Sequence, residues 1–384
     1  MTPRFALALV PLLLLACDGD REEPPASAPA EAPEPEAGLD LDDPSACAPC
    51  HEAVVDEWRQ SMHAQAHHDR DEVYAAMRRL RMEREGDDLA TRCAGCHGPR
   101  APDAPDSDVA RTGVSCATCH HLAAVDDGAV GARALTWAED DTLRGPHDGS
   151  ARGPHRVGDA APWLTDGQTL CLTCHGQLAN AQGVATCTTG AEHQGAPDGA
   201  SCVGCHMPEV QTSSGAASPR AAHRSHAFLG PRRLWPDGDG AFLASGLEVT
   251  ARVQDGALIA DVHNVSGHGF PTGFPGRMVV ARARGLDAQD AEVWRSDADA
   301  VFGKRYVDDD GQPALPPYAA RLAGDTRLTA GETRTLRWEL PASVTRAEIT
   351  FALRLLPPPA ATALGLADSP LAQPRTFLTV AATR

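Results

Sequence analysis

The hydrophobic and polar positions divide the chain into four stretches. Residues 5–15 form one short apolar run broken only by Pro11. It falls short of the roughly 18 apolar residues that a permanent membrane span needs. With Arg4 before it and Ala16-Cys17 after it, the run reads as the core of an export signal over residues 1–16. Residues 17–45 are rich in Pro, Ala, Glu and Asp and show no apolar period, which predicts an extended, disordered linker. From residue 46, Val54, Val55, Trp58 and Met62 fall near a 3.6-residue period, and the pattern resumes over 72–85 through Tyr74, Met77, Leu80 and Met82. Two helices are expected there. After Gly86 the chain turns to loops with short helical pieces, dense in Gly, Pro, Asp and Ala over 98–115 and 126–165.

From about residue 240 the period changes to two. Leu247, Val249, Ala251 and Val253 alternate with polar residues, Asp255-Gly256 follows as a turn, and 258–262 returns. Further strand candidates are 278–283, 292–295, 334–340, 348–355 and 376–381. Residues 240–384 are therefore expected to form an all-β, sandwich-like domain behind an α-helical and loop-rich domain at 46–235.

Composition sharpens this picture at two points. The formal charge is −18, which argues against nucleic acid as a partner. Aromatic residues make up only 4% of the chain, so the loop-rich 46–235 stretch lacks the large side chains that would fill a core. Something other than side chains must occupy its interior.

The cysteines supply a candidate. Of twelve, ten fall in five segments of one form: Cys47-Ala-Pro-Cys50-His51, Cys93-Ala-Gly-Cys96-His97, Cys116-Ala-Thr-Cys119-His120, Cys171-Leu-Thr-Cys174-His175 and Cys202-Val-Gly-Cys205-His206. Cys-x-x-Cys-His is the attachment signature of c-type haem. The two thiols add to the two vinyl groups of one porphyrin, and the histidine is carried beneath the ring to ligate iron. Zinc in Cys₄ sites does not require a histidine after every second cysteine. Redox-active dithiols do not require it either. Five haem c groups are therefore expected. Cys17 stands where a lipoprotein signal is cut and its new N-terminal cysteine lipidated, which would tether the body to a membrane. Cys187 is left over and reads as a small buried side chain.

Five of the 16 histidines are the proximal ligands His51, His97, His120, His175 and His206. The second axial position of an electron-transfer haem is usually filled by His or Met. His63, His67, His68, His121, His147, His155, His193 and His226 lie near the motifs, with His223 close by. From these, His63, His147, His155, His193 and His226 are taken as the candidate distal ligands. His63 and His67, four apart, would share one helix face.

The segment Trp58, Ser61, His63 after the first motif resembles the Trp-x-x-Ser-x-His helix of a large group of bacterial multihaem cytochromes c. That group includes the tetrahaem cytochromes and the hydroxylamine-oxidoreductase-related octahaem enzymes. Gly113-Val-Ser-Cys116, Gly145-Pro146 followed by His155, Cys205-His206-Met207-Pro208 and His226-Ala-Phe228-Leu-Gly230 extend the resemblance over about 46–235. It implies distal ligation by His63 and His226. In the β-domain, Gly267-His268-Gly-Phe-Pro271-Thr272-Gly273 is similar to a loop in β-domains fused to such cytochromes. Here His268 braces the loop, contacts the neighbouring domain or reaches a haem edge. The crosslinking tyrosine of hydroxylamine-type enzymes and the Cys-x-x-Cys-Lys motif of nitrite-reducing relatives have no counterpart in this chain.

The expected function is an exported electron carrier, periplasmic or associated with an outer membrane, that meets redox partner proteins and has no catalytic residues. The alternative is an oxidoreductase acting on a small nitrogen or sulfur compound at one five-coordinate haem. His97 is the suspected site, because residues 98–105 after it offer no histidine. A third possibility is that the β-domain docks a partner.

Overall fold

The computed structural model describes residues 38–149, 154–193, 201–216, 218, 220–235 and 238–384. The signal, Cys17 and most of the linker lie outside the described residues.

The first part of the chain is a string of short helices and loops. Helix α1 spans Ala48–Arg59 and buries Val55 and Trp58. It stops at Arg59, so Met62, His63 and His67 lie beyond it in a run of turns. Helix α2 spans Glu72–Glu85 as its apolar period predicts. The Asp71 carboxylate caps it by accepting from the Val73 and Tyr74 amides, and Gly86 ends it at φ +93°. A side-chain cluster confined to this part is small: Leu122, Ala134 and Leu135 are its buried members.

The second part contains nine labelled strands in two antiparallel sheets. Strands β1 (Leu247–Gln254) and β2 (Ala257–Asn264) form a hairpin. Its turn, Asp255-Gly256, has positive φ at both residues, the conformation that Asp-Gly favours. Strand β3 (Met278–Leu286), β4 (Glu292–Arg295), β5 (Ala300–Val307), β6 (Arg321–Asp325), β7 (Thr333–Glu339), β8 (Arg346–Arg354) and β9 (Arg375–Thr383) follow. One sheet has the order β7-β2-β1. The other runs β6-β5-β3-β8-β9, with β4 also on β3. Their inner faces share one core, with Leu258, Ala260 and Val262 from the first sheet and Val279, Ala281, Ile349, Phe351 and Leu353 from the second.

The two parts are packed into one body. Val73 and Ala76 of α2 sit in a cluster with Leu355, Leu356, Ala361, Leu364 and Leu371 of the β-domain. Trp235 donates to the Pro370 carbonyl at 2.8 Å and Ser369 to Glu72 at 2.6 Å. A second seam joins 180–193 to the β-domain. Asn180 donates to the carbonyls of Pro316 and Ala319, Lys304 to Thr186 and Thr188, and Tyr306 to Ala185.

Candidate functional site

Each Cys-x-x-Cys-His segment is a short helix that breaks at its histidine. Helices Leu89–His97, Cys116–His120, Thr169–His175 and Cys202–His206 all end there. In α1, His51 itself leaves helical geometry at φ −126°, ψ 40°. One helical turn brings positions three and four apart onto the same face, so both cysteines and the histidine of a motif can present to one ligand. Serines start two of these turns. Ser201 accepts from the Gly204 amide at 3.1 Å, and Ser115 forms a reciprocal cap with Thr118.

All ten motif cysteines and all five motif histidines line one continuous cavity of about 2070 Å³. A single small-molecule pocket is typically about 300–1,000 Å³. Among the described residues no two motif cysteines are joined in a disulfide. Thiols of different motifs are neighbours: Cys47 lies beside Cys116, Cys96 beside Cys174 and Cys171 beside Cys202. The first motif thus lies beside the third, the second beside the fourth and the fourth beside the fifth. This order does not follow sequence spacing. Cys93 and Cys116, the motifs closest in the chain, are not among these contacts.

Across the cavity, four motif histidines face a second histidine. The ring centres of His51 and His155 are 6.5 Å apart, those of His175 and His63 6.2 Å, His120 and His226 6.3 Å, and His206 and His268 6.2 Å. These gaps are too wide for ring stacking. A metal–imidazole bond of about 2 Å on each side, plus the radius of each ring, separates two ring centres by roughly 6 Å. The four pairs match that spacing closely.

Hydrogen bonds orient several of these rings. The Nδ1–H of His120 donates to the Arg144 carbonyl at 2.7 Å, that of His206 to Leu229 at 2.6 Å, that of His155 to Arg156 at 3.0 Å and that of His226 to Arg224 at 2.8 Å. A carbonyl can only accept, so Nδ1 carries the proton and Nε2 keeps its lone pair for a metal. Burial, followed by the neighbouring charges of His175, His206 and His226, pushes His63 down to about 3. Burial and His120 push His226 to about 4. Both rings are therefore neutral at ordinary pH, the form that ligates metal. The Nδ1 atom of His63 is buried with no hydrogen-bond partner. Such an orphan fits a ring that meets a group absent from the chain itself. The donors, the ring spacing and the cavity fit five covalently attached haems.

His97 differs. Its Nδ1–H donates to the Ala66 carbonyl at 2.8 Å, as those of His120 and His206 do to theirs. Its ring stacks on Tyr74, with centres 3.9 Å apart and planes 19° from parallel. Among the described residues no histidine ring faces it.

The remaining sequence candidates fall elsewhere. His147 is exposed at the cavity edge and meets no motif histidine. His193 also borders the cavity, with its Nδ1–H donating to the Gly267 carbonyl at 2.9 Å, and among the described residues no motif histidine ring faces it. His67 is buried outside the cavity. Its Nε2–H donates to Pro105 and its Nδ1 accepts from the Asp69 amide. His67, His68 and Asp69 offer ligand atoms within 4.8 Å of one another, but both nitrogens of His67 are already committed. His68 pairs with Asp69 and Asp106, His121 donates to Asp140, and His223 bridges Glu57 and Thr212. Burial pushes the Cys187 thiol up, which makes it a poor nucleophile. His268, for which the sequence left loop bracing, interdomain contact and a haem edge open, stands opposite His206. The signal in the sequence was its place in a Gly/Pro-rich loop, one of only two histidines beyond His226.

Residues 46–121, which hold the first three motifs, match the family described as cytochrome c554 and c-prime. No curated protein sequence matches the chain. Among solved structures, the chain is similar to a penta-heme cytochrome c552 from Thermochromatium tepidum. The TM-score is 0.72 at 24% identity, over 88% of this chain and 97% of that one. The fold is that of a multihaem cytochrome c with a β-domain.

Proposed function

We propose that this chain is an extracytoplasmic c-type cytochrome that carries electrons through five covalently bound haems. One observation carries the reading: five Cys-x-x-Cys-His turns line a single cavity in which most motif histidines face a second imidazole at one spacing. Haem iron, held as ferric or ferrous, supplies the redox chemistry. The chain's residues do the rest. Each cysteine pair anchors one porphyrin, and the histidine after it ligates. His155, His63 and His226, facing His51, His175 and His120, would supply the second imidazole to the haems held there. Iron so held would be closed to small molecules and would reorganise little when its charge changes. The Nδ1–H bonds to carbonyls hold the rings in place. The thiol neighbours place motif one beside three, and motifs two, four and five beside one another, all on the one cavity, which supports electron exchange within each group.

The formal net charge of −18 suits a basic redox partner. No helix among the described residues is long and apolar enough to cross a membrane. Lipidation of Cys17, with 18–45 as a tether, would hold the carrier at a membrane surface.

The position of His97 favours a second reading. An open iron there would let one centre bind and reduce or oxidise a small nitrogen or sulfur compound. Electron paramagnetic resonance of the purified, haem-loaded chain, with and without nitrite, hydroxylamine, sulfite or carbon monoxide, separates the two. Five low-spin centres that bind nothing support the carrier alone. One high-spin centre that binds these molecules supports the oxidoreductase. A chain without five haems by mass would overturn both.

A further inference from the structure

We infer that His268, carried by the β-domain, is the second axial ligand to the iron of the haem attached at Cys202 and Cys205, opposite His206. This rests on the proposal that the five motifs hold haem. The fifth redox centre is then assembled from both domains, and the β-domain is part of the electron path rather than an appendage to it.

The geometry is the same as in the three pairs within the cytochrome domain. The His206 and His268 rings stand 6.2 Å apart, within the 6.2–6.5 Å of the other pairs, and their 26° tilt is close to the 28–34° of those pairs. The Nδ1–H of His268 donates to the Gly269 carbonyl at 3.1 Å, with Ser266 Oγ at 3.5 Å. Its Nε2 is thereby left with a free lone pair, as in His120 and His206. Phe242, also from the C-terminal part, closes on His206 edge to face at 5.2 Å.

The loop that carries His268 is fixed from both sides. On the β-domain side, the fully buried Asn264 donates to the carbonyls of His268 at 2.8 Å and Thr329 at 2.9 Å. Its own oxygen accepts from Ser266. On the cytochrome side, the Glu192 carboxylate accepts from the Gly269 amide at 3.2 Å, from Thr272 at 2.6 Å and from Arg327 at 2.7 Å. The residue directly after His268 is thus gripped by a side chain that lies ten residues before the fifth motif. A loop that only braced the β-domain would need no anchor across the seam. A ligand must be held within fractions of an ångström, and anchors of this kind do that.

The test uses the full-length, haem-loaded chain carrying His268→Ala or His268→Met, with haem count by mass and β-structure by circular dichroism. In His268→Ala, one of the five centres is expected to change from low-spin to high-spin and to bind added imidazole, which returns it to low-spin. The other four keep their spectra. In His268→Met that centre is expected to stay low-spin with a raised midpoint potential. Five haems, intact β-structure and unchanged spectra in both variants would overturn the inference. Loss of β-structure in His268→Ala passes the decision to His268→Met, where an unchanged potential at every centre overturns it equally. A wild-type chain with fewer than five haems would instead count against the underlying reading of the motifs.

Discussion

The indole Nε1 of Trp58 donates to the carbonyl of Val114 at 2.8 Å, and the amide of Val114 donates to the carbonyl of His63 at 3.0 Å. The last turn of α1, the His63 segment and the strand of chain entering the third motif are therefore locked together. Trp58 is buried and Val114 is half-buried, so the indole N–H has no ready replacement for this acceptor. Trp58→Phe keeps an aromatic ring and removes the donor. It is expected to cost roughly 1–2 kcal/mol, read as a lowered denaturation midpoint of the haem-loaded protein. An unchanged midpoint would show that the hydrogen bond is not used in solution.

Gly113 lies in the same lock. Its φ is +71°, and a Cβ there would stand 2.4 Å from the His63 carbonyl oxygen. Gly113→Ala therefore meets two obstacles, a backbone conformation worth on the order of 1–3 kcal/mol and a clash with the segment that carries His63. The expected result is a larger stability loss than in Trp58→Phe, together with high-spin character at one centre. A stable variant with wild-type spectra would mean that the His63 segment moves freely out of the way.

His63 and His67 provide a cleaner comparison. His63 faces His175 across the cavity, whereas His67 is hydrogen-bonded to Pro105 outside it. His63→Ala is expected to convert one low-spin centre to high-spin. His67→Ala is expected to leave all spin states alone and to cost about 1 kcal/mol, because it removes the buried His67 ring and its bond to the half-buried Pro105 carbonyl. The reverse pattern in resonance spectra would reject the pairing of His63 with the fourth motif.

The chemistry of the site was legible in the sequence because it is local. Five residues in a row specify each attachment turn, and the chain writes that word five times. The β-hairpin was equally legible, since alternation and an Asp-Gly turn act over a few residues. Strands β5 and β6 were not. Alternation in β5 is broken at Gly303-Lys304-Arg305, where Lys304 is turned to Thr186 and Thr188 across the domain seam. A tertiary contact there outweighs the local pattern. The second imidazoles were legible only in part for the same reason. His147 and His193 were favoured by nearness in the chain, yet ring pairing is set by the folded arrangement and joins residues such as His63 and His175. His63 and His67 looked like one helix face, but α1 ends at Arg59 and the turns after it aim them apart.

Glu192 is where the two domains are most tightly tied. Its carboxylate bonds Thr188, Thr272, the Gly269 amide and Arg327, and Arg327 in turn pairs with Asp325 at 2.8 Å. Both Glu192 and Arg327 are largely buried. Glu192→Gln keeps the shape and one acceptor oxygen while removing the charge. Arg327 retains Asp325, so the cost is limited to the loss of charge-assisted hydrogen bonds, roughly 1.5–3 kcal/mol. That loss should be concentrated in the loop rather than spread over the protein, because the β-domain core and the α2 cluster remain. Hydrogen exchange is expected to quicken over residues 264–277 and to stay unchanged in β3 and β8. Uniform quickening would mean that Glu192 supports the whole fold. No quickening at all would mean that the loop is held from the Asn264 side alone.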